Sequence, residues 1–436
     1  VQHQETLSEI SSLINLEELR LASYIVPWVP DVFAGLKSLK VLTLRSAERD
    51  LPESIFRLPG LDSLIVSGAG VKSLPELPAY GFQKLKVLRI NFTGLKKVPG
   101  ALLKLPELEV LDLFANQISS MPAEGWNQLK KLRNLSIAQN QLEGLPAGIG
   151  QLKGLQFMNA ADNKLLELPA SLGDCKVLKR LILDNNNIES LPEGLKNADS
   201  LEVLKLSNNP NIEESSVWKV ILGVPRTNFF VDVSRTGLKN LPESEAWKHM
   251  RFTELLIEGN KLQTLPTSFS EIKSFQKISL KGNPLVMPQQ LTDVRIVSKA
   301  DLKIIFDQLN IPMVGAPVGN EDYALVLLDR ISYLSRIKDW ARVIAFANKA
   351  LEIAPAVYNK SRYAGLIGIA KFRIKDYKGA IADLERFVAL KRNPIHHSMG
   401  VETNVELCLY DAYIALGEKE KATKARALFE KTRGGV

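Results

Sequence analysis

Apolar residues recur along the first two-thirds of this chain at a spacing of twenty-odd residues, far longer than the period of a single helix or strand. The first position of each unit falls at Leu16, Leu39, Leu61, Leu85, Leu108, Leu132, Leu155, Leu178, Leu201, Asn228, Phe252 and Phe275, with gaps of 22 to 27 residues. Each unit opens as apolar, two variable, apolar, one variable, apolar, as in Leu108, Leu111 and Leu113. That alternation predicts a short strand whose apolar side chains point inward and whose interleaved residues point outward. One such unit cannot bury its apolar side alone, so the units must stack. Asparagines follow the strands at Asn116, Asn140, Asn163, Asn186, Asn209, Asn260 and Asn283, where a side-chain amide can bond the backbone as it turns away. The second half of most units carries a Leu-Pro step, as at Leu145-Pro146, Leu168-Pro169 and Leu265-Pro266, which suits entry to a loose return arm.

This pattern, from about Leu16 to Asn283, resembles the leucine-rich-repeat family. The unit length and the Leu-Pro step are similar to its bacterial and plant intracellular-type 23-residue repeats. The resemblance implies an α/β leucine-rich-repeat solenoid of about twelve repeats, right-handed, with short parallel strands on the concave face. The first four units put Tyr24, Ala47, Ala69 and Thr93 where later ones have asparagine, and the tenth has Thr236, so those turns must be satisfied otherwise. The lengthened ninth gap, with Val217, Trp218, Ile221 and Leu222 at helical spacing, predicts an extra helix. Leu7, Ile10, Leu13 and Ile14 predict an N-terminal helical cap over residues 1–15. The solenoid is expected over 16–290, and a C-terminal cap and linker over 291–320, with Ala300, Ile304, Ile305 and Phe306 facing the last coil.

Beyond the stretch carrying Pro312, Gly315, Pro317 and Gly319 the period changes, and residues 321–436 read as an all-α helical-hairpin repeat domain. Trp340, Val343, Ala347, Ala350 and Pro355 resemble the second helix of a tetratricopeptide unit. Gly368, Asp376-Tyr377 and Ala380 resemble another, and Tyr413, Gly417 and Ala422 a third. The spacings at Trp340, Tyr377 and Lys419 are 37 and 42 residues instead of a regular 34. In that family the inner groove grips extended peptides, sometimes through Lys and Asn. The corresponding positions here are Leu328, Ser332, Gly365, Ile369, Leu407 and Asp411, which do not support a carboxylate clamp.

If the leucines are consumed by stacking, the interleaved residues form the binding face. Phe114, Phe157 and Phe230 stand in these outward rows, with Arg45, Arg89, Asp112, Asn159, Arg180, Asp184, Lys205 and Asp232 around them. An aromatic centre with a rim of arginine and carboxylate has the composition of a protein-binding hot spot. Strand propensity and packing between adjacent strands give a purely structural account of the same residues. A mixed-sign face of modest aromatic content favours a protein or peptide partner over a glycan or nucleic acid.

The formal charge of +8 changes this picture little. From Glu321 onward there are 20 Lys/Arg against 14 Asp/Glu, and before it 36 against 34, so the solenoid is nearly neutral and nucleic acid is disfavoured. No run of eighteen apolar residues occurs, so no transmembrane segment is expected. The two cysteines, Cys175 and Cys408, fall in different expected domains, which excludes a disulfide framework. The start at Val1 suggests a removed signal peptide or a trimmed chain. A secreted, periplasmic or bacterial-surface location is expected, with the cytoplasm as the alternative.

Catalytic signatures are sparse, and no cofactor or metal is expected. There is no phosphate-binding Gly-rich loop with Lys-Ser/Thr and no HExxH, and His396-His397 has no Cys or acidic cluster nearby. Secreted bacterial ubiquitin ligases also place a helical domain after leucine-rich repeats, with a Cys-x-Asp motif. Cys408 is followed by Leu409, Tyr410 and Asp411 and so departs from it. A cysteine inside an apolar helix reads as an inert packing residue. The expected function is thus a non-catalytic scaffold or adaptor binding protein or peptide, with the helical tail as a second surface. A secreted effector enzyme such as a ubiquitin ligase is the alternative.

Overall fold

The computed structural model describes residues 9–21, 33–45, 47, 50–74, 82–223, 226–285, 296–309, 327, 331, 334–335, 337–353, 357–390 and 405–433. The chain divides into two compact units, the first holding residues 1–298 and the second 299–307 and 315–436.

The first unit is built on one twelve-stranded parallel sheet in which each strand pairs with the next in sequence, β1 to β12. The strands are β1 Glu18–Leu21, β2 Val41–Leu44, β3 Ser63–Ser67, β4 Val87–Asn91, β5 Val110–Asp112 and β6 Asn134–Ser136. They continue as β7 Phe157–Asn159, β8 Arg180–Ile182, β9 Val203–Lys205, β10 Phe229–Asp232, β11 Arg251–Leu256 and β12 Ser274–Ser279. The register aligns the repeat units one to one, as in Val110↔Asn134, Leu111↔Leu135 and Asp112↔Ser136. Leu88, Leu111, Leu135, Met158, Leu181 and Leu204 therefore lie in one inward column, and all are buried.

The ladder asparagines explain why the coil closes at each turn. Asn140 Nδ2 donates to the carbonyls of Leu113, Ile137 and Ala138 at 3.0, 2.9 and 3.1 Å, and its Oδ1 accepts from Ile118 N at 2.9 Å. One side chain thus satisfies its own turn and ties it to the coil before it. The residue just before the ladder position is left-handed in coil after coil, at Phe92, Ala115, Gln139, Asp162, Asn185, Asn208 and Arg235, and then at Gly259 and Gly282. Where asparagine is missing, other groups serve. Thr236 Oγ1 donates to Val233 O at 2.6 Å, Thr93 bonds the amide oxygen of Asn116, and Ala47 N donates to Ser67 O at 2.8 Å.

The return arms are five-residue 3-10 turns at Glu53–Arg57, Gly100–Lys104, Ala147–Gln151, Ala170–Asp174, Glu193–Asn197 and Thr267–Glu271. The proline of the Leu-Pro step, or its equivalent, precedes each in an extended conformation, which sets the chain direction into the turn. The extra helix in the long ninth gap is α1, Glu214–Leu222, with Val217, Trp218, Val220 and Ile221 buried. Its C-terminal carbonyls are met by the buried Arg226, which donates to Val220 O and Ile221 O at 2.8 and 3.1 Å and stacks over Phe229. Burial pulls that guanidinium down to about 10.

At the start of the solenoid, Glu9 is helical and runs into a 3-10 turn, Ile10–Ser12, with Leu13 and Ile14 50% and 59% exposed; most of the cap expected over 1–15, Leu7 included, lies outside the described residues. Ser11 sits close against Gly35 of the next arm, leaving no room there for a Cβ. At the far end, Ile296 makes an antiparallel bridge to Ile278 and so covers part of the edge of β12. Helix α2, Lys299–Gln308, has Ala300, Ile304, Ile305 and Phe306 buried, and its residues 299–307 fall in the second compact unit. The linker expected over 311–320 lies outside the described residues.

The second unit also contains α3 Trp340–Ile353, α4 Val357–Arg373, α5 Tyr377–Leu390, α6 Val405–Ala415 and α7 Lys419–Arg433, each packed on the next. Three turns repeat the same device. Lys338, Lys375 and Gly417 are left-handed, and the next residue's N–H reaches back to Leu334 O, Lys371 O and Tyr413 O at 2.9 Å each. This is the Schellman way of ending a helix. Asp339 and Asp376 then accept from the backbone of Arg342 and Gly379 and so begin the following helix. Gly365 and Gly368 let α4 approach α5, since a Cβ at Gly368 would lie 2.6 Å from Leu384 Cδ2.

Candidate functional site

Strand register turns the sequence rows into real columns on the open face of the sheet. One column runs Val87, Val110, Asn134, Phe157, Arg180, Val203 and Phe230, and the next runs Arg89, Asp112, Ser136, Asn159, Ile182, Lys205 and Asp232. Phe114, Phe157, Phe230, Asp112, Asn159, Asp184, Lys205 and Asp232 are half-buried, and Arg45, Arg89 and Arg180 are exposed. The alternation is not perfect: Thr43, Ala138, Ala161 and Ser279 lie in outward rows yet are buried.

The acidic and basic members of this set do different work. Asp112 accepts from Asn91 Nδ2 at 3.1 Å and from Phe114 N at 3.2 Å. Asp184 Oδ1 accepts from Ser207 N and Oγ at 2.8 and 2.7 Å, and Asp232 and Asn159 each accept from the backbone N–H two residues on. These oxygens hold the strand ends in place. Burial pushes the Asp184 carboxyl up, against the pull of its Ser207 bonds, and the neighbouring Asp232 adds to the rise. By contrast, among the described residues Arg45, Arg89 and Arg180 have no carboxylate partner, while Lys205 Nζ lies 5.4 Å from the centre of the Phe230 ring.

One residue of this face escapes the sequence rows altogether. Phe92 is 60% exposed and meets Phe114 edge-to-face, with ring centres 5.3 Å apart and planes at 83°. It occupies the left-handed position before the ladder, at φ 54°, where other coils use Ala, Gln, Asp, Asn, Arg or Gly and none of those described places another aromatic. A bulky side chain in that conformation costs about 1–2 kcal/mol. The residue type at the turn, read against its neighbours, was the available signal. Phe92 and Phe114 make an apolar platform just past the end of β4, the strand that carries Arg89, which forms no ion pair among the described residues.

The second unit offers less chemistry. Cys408 is buried between α5 and α6 side chains, and burial pushes its thiol up to about 11, with Asp411 adding to the rise. Burial likewise pushes Cys175 up to about 11, and its Sγ donates to Ile149 O at 3.5 Å. Tyr413 donates its hydroxyl to Glu385, which, together with burial, raises the phenol well above its usual range. His396, His397, Leu328 and Ser332 lie outside the described residues. Among the described residues no cluster suited to a metal ion occurs, and no helix is long and apolar enough to cross a membrane.

Residues 107–222 match the family described as a leucine-rich repeat region. Human volume-regulated anion channel subunit LRRC8B is 30% identical over 137 residues, covering 30% of this chain and 17% of its own length. The rat LRRC8A subunit is 31% identical over 137 residues, covering 30% and 16%. The chain thus spans less than a fifth of either relative. A solved leucine-rich-repeat protein of Leptospira interrogans superposes with a TM-score of 0.53 and 26% identity, over 71% of this chain and 80% of that one. Twelve coils in parallel register, with that family's match at their middle, give this chain a leucine-rich-repeat solenoid fold followed by a helical C-terminal region.

Proposed function

We propose that this protein is a non-catalytic scaffold that binds a protein or peptide on the open, concave face of its sheet, centred on β4 to β8. The leucine-rich-repeat fold is commonly a protein-binding scaffold, and the observation that carries the reading is the Phe92–Phe114 pair. A large aromatic is held in water at a conformational cost, just past the strand that carries Arg89, which forms no ion pair among the described residues, and both gain when a ligand covers them. Phe157, Phe230 and Arg180 extend the same face, while Asp112, Asn159, Asp184 and Asp232 keep its strand ends rigid. Rigid presentation reduces the ordering cost of binding. The buried thiol of Cys408, held protonated near neutral pH, supports a packing role over a ligase nucleophile. The helical unit serves as a second interaction surface.

Selection of binding peptides from a displayed random library with the full chain, followed by titration of the selected peptide, tests this. Phe114→Ser and Arg89→Glu are expected to weaken binding by about tenfold or more. Binding unchanged by both substitutions would reject the face.

A further inference from the structure

Away from the sheet, the third to fifth coils enclose an open groove of about 1220 Å³. Small-ligand pockets run to roughly 300–1,000 Å³, so this space suits a length of chain better than a metabolite. Its lining among the described residues includes four lysines, Lys72, Lys96, Lys97 and Lys104, all exposed, against one carboxylate, Glu124. Among the described residues Lys96, Lys97 and Lys104 form no ion pair, while Lys72 faces Asp50, whose carboxylate accepts the Lys72 and Ser73 N–H groups at 2.7 and 2.8 Å.

The coil register shows that this charge is not required by the fold. Gly94 N donates to Val71 O and Ser119 N to Lys96 O, which stacks Lys72, Lys96 and Ser119 in one column of adjacent coils. The column continues through Glu143, Leu166 and Glu189, linked by the bonds from Leu166 N to Glu143 O and from Glu189 N to Leu166 O. An acid, an aliphatic residue and a hydroxyl are all accommodated at this position. Two lysines on neighbouring coils, roughly 5 Å apart by strand spacing, repel each other, and Lys97 beside them increases the repulsion. An anionic ligand turns that repulsion into attraction.

We propose that this groove binds a carboxylate-rich peptide segment in extended form, at a site separate from the sheet face. Among the described residues no aromatic side chain lines it, so these offer none of the stacking platforms that nucleic acid bases use. Lysines, as mobile point charges, suit a run of Asp and Glu side chains without demanding one fixed geometry.

Fluorescence anisotropy with a labelled oligoglutamate of ~10 residues, long enough to cross the groove when extended, tests this on the full chain. Saturable binding is expected, weakened about tenfold or more by the double substitution Lys96→Glu with Lys97→Glu, and by less than about twofold by Lys239→Glu or Phe114→Ser. The two controls separate this groove from general surface charge and from the sheet face. If the double variant changes the far-UV circular dichroism, Lys96→Gln with Lys97→Gln replaces it in the same comparison. Equal affinity in the double variant, absence of saturable binding, or tighter binding of an oligothymidylate that the same substitutions abolish would each overturn the proposal.

Discussion

Both units of this protein are repeats that turn through left-handed residues, yet they satisfy the turns in opposite ways. In the solenoid, the turn of one coil is completed by the asparagine of the next, as when Ile118 N is met by Asn140. In the helical unit, each turn is completed within itself: Asp376 N reaches back to Lys371 O, and the Asp376 side chain starts the following helix. The difference teaches where cooperativity resides. Polar bonds couple the coils of the solenoid, whereas the helices are coupled by close apolar packing at Gly365, Gly368 and Ala380.

Breaking a ladder asparagine is therefore the most damaging change. Asn140→Leu leaves several buried backbone groups of two adjacent coils without partners, at about 1–3 kcal/mol for each left unmet. Urea unfolding is expected to show the solenoid transition displaced to much lower denaturant, with the helical unit little affected. Gly368→Ala forces the new Cβ against Leu384 and is expected to cost about 1–3 kcal/mol, read in the helical transition alone. If either substitution shifts both transitions equally, the contrast between the two units fails.

Phe92→Asn sharpens the comparison from the other side. Asparagine accepts the left-handed conformation readily, as Asn185 and Asn208 show, so the solenoid is expected to gain about 1 kcal/mol. The same variant is expected to bind a selected peptide more weakly. Gain of stability with loss of binding marks strain kept for function. Loss of stability would instead make Phe92 part of the packing.

The sequence made the periodic part of this structure readable because every leucine, asparagine and proline of the repeat has one physical task. The columns of the open face, including Arg89 beside Asp112 and Phe157 beside Arg180, follow from alternation alone. What stayed hidden depends on geometry that alternation does not carry. Phe92 falls after the strand, and only its turn conformation brings it onto Phe114. The lysine groove disappears when charge is summed over a whole domain, since its residues come from separate coils. Helix α2 has an apolar face that suits either unit, and its spacing alone does not say which one receives it. Burial of Ala138 and Ala161 in outward rows reflects their small size beside larger neighbours.

The account stands or falls on whether ligand covers the open face of the sheet. Hydroxyl-radical footprinting of the full chain, with and without a selected peptide, measures this side chain by side chain. The account predicts reduced oxidation at Phe92, Phe114 and Phe157, with no change at the exposed Ile337 and Ile374 of the helical unit. Protection confined to the helical unit, with Phe92 and Phe114 oxidised as fast as in the free protein, would contradict it.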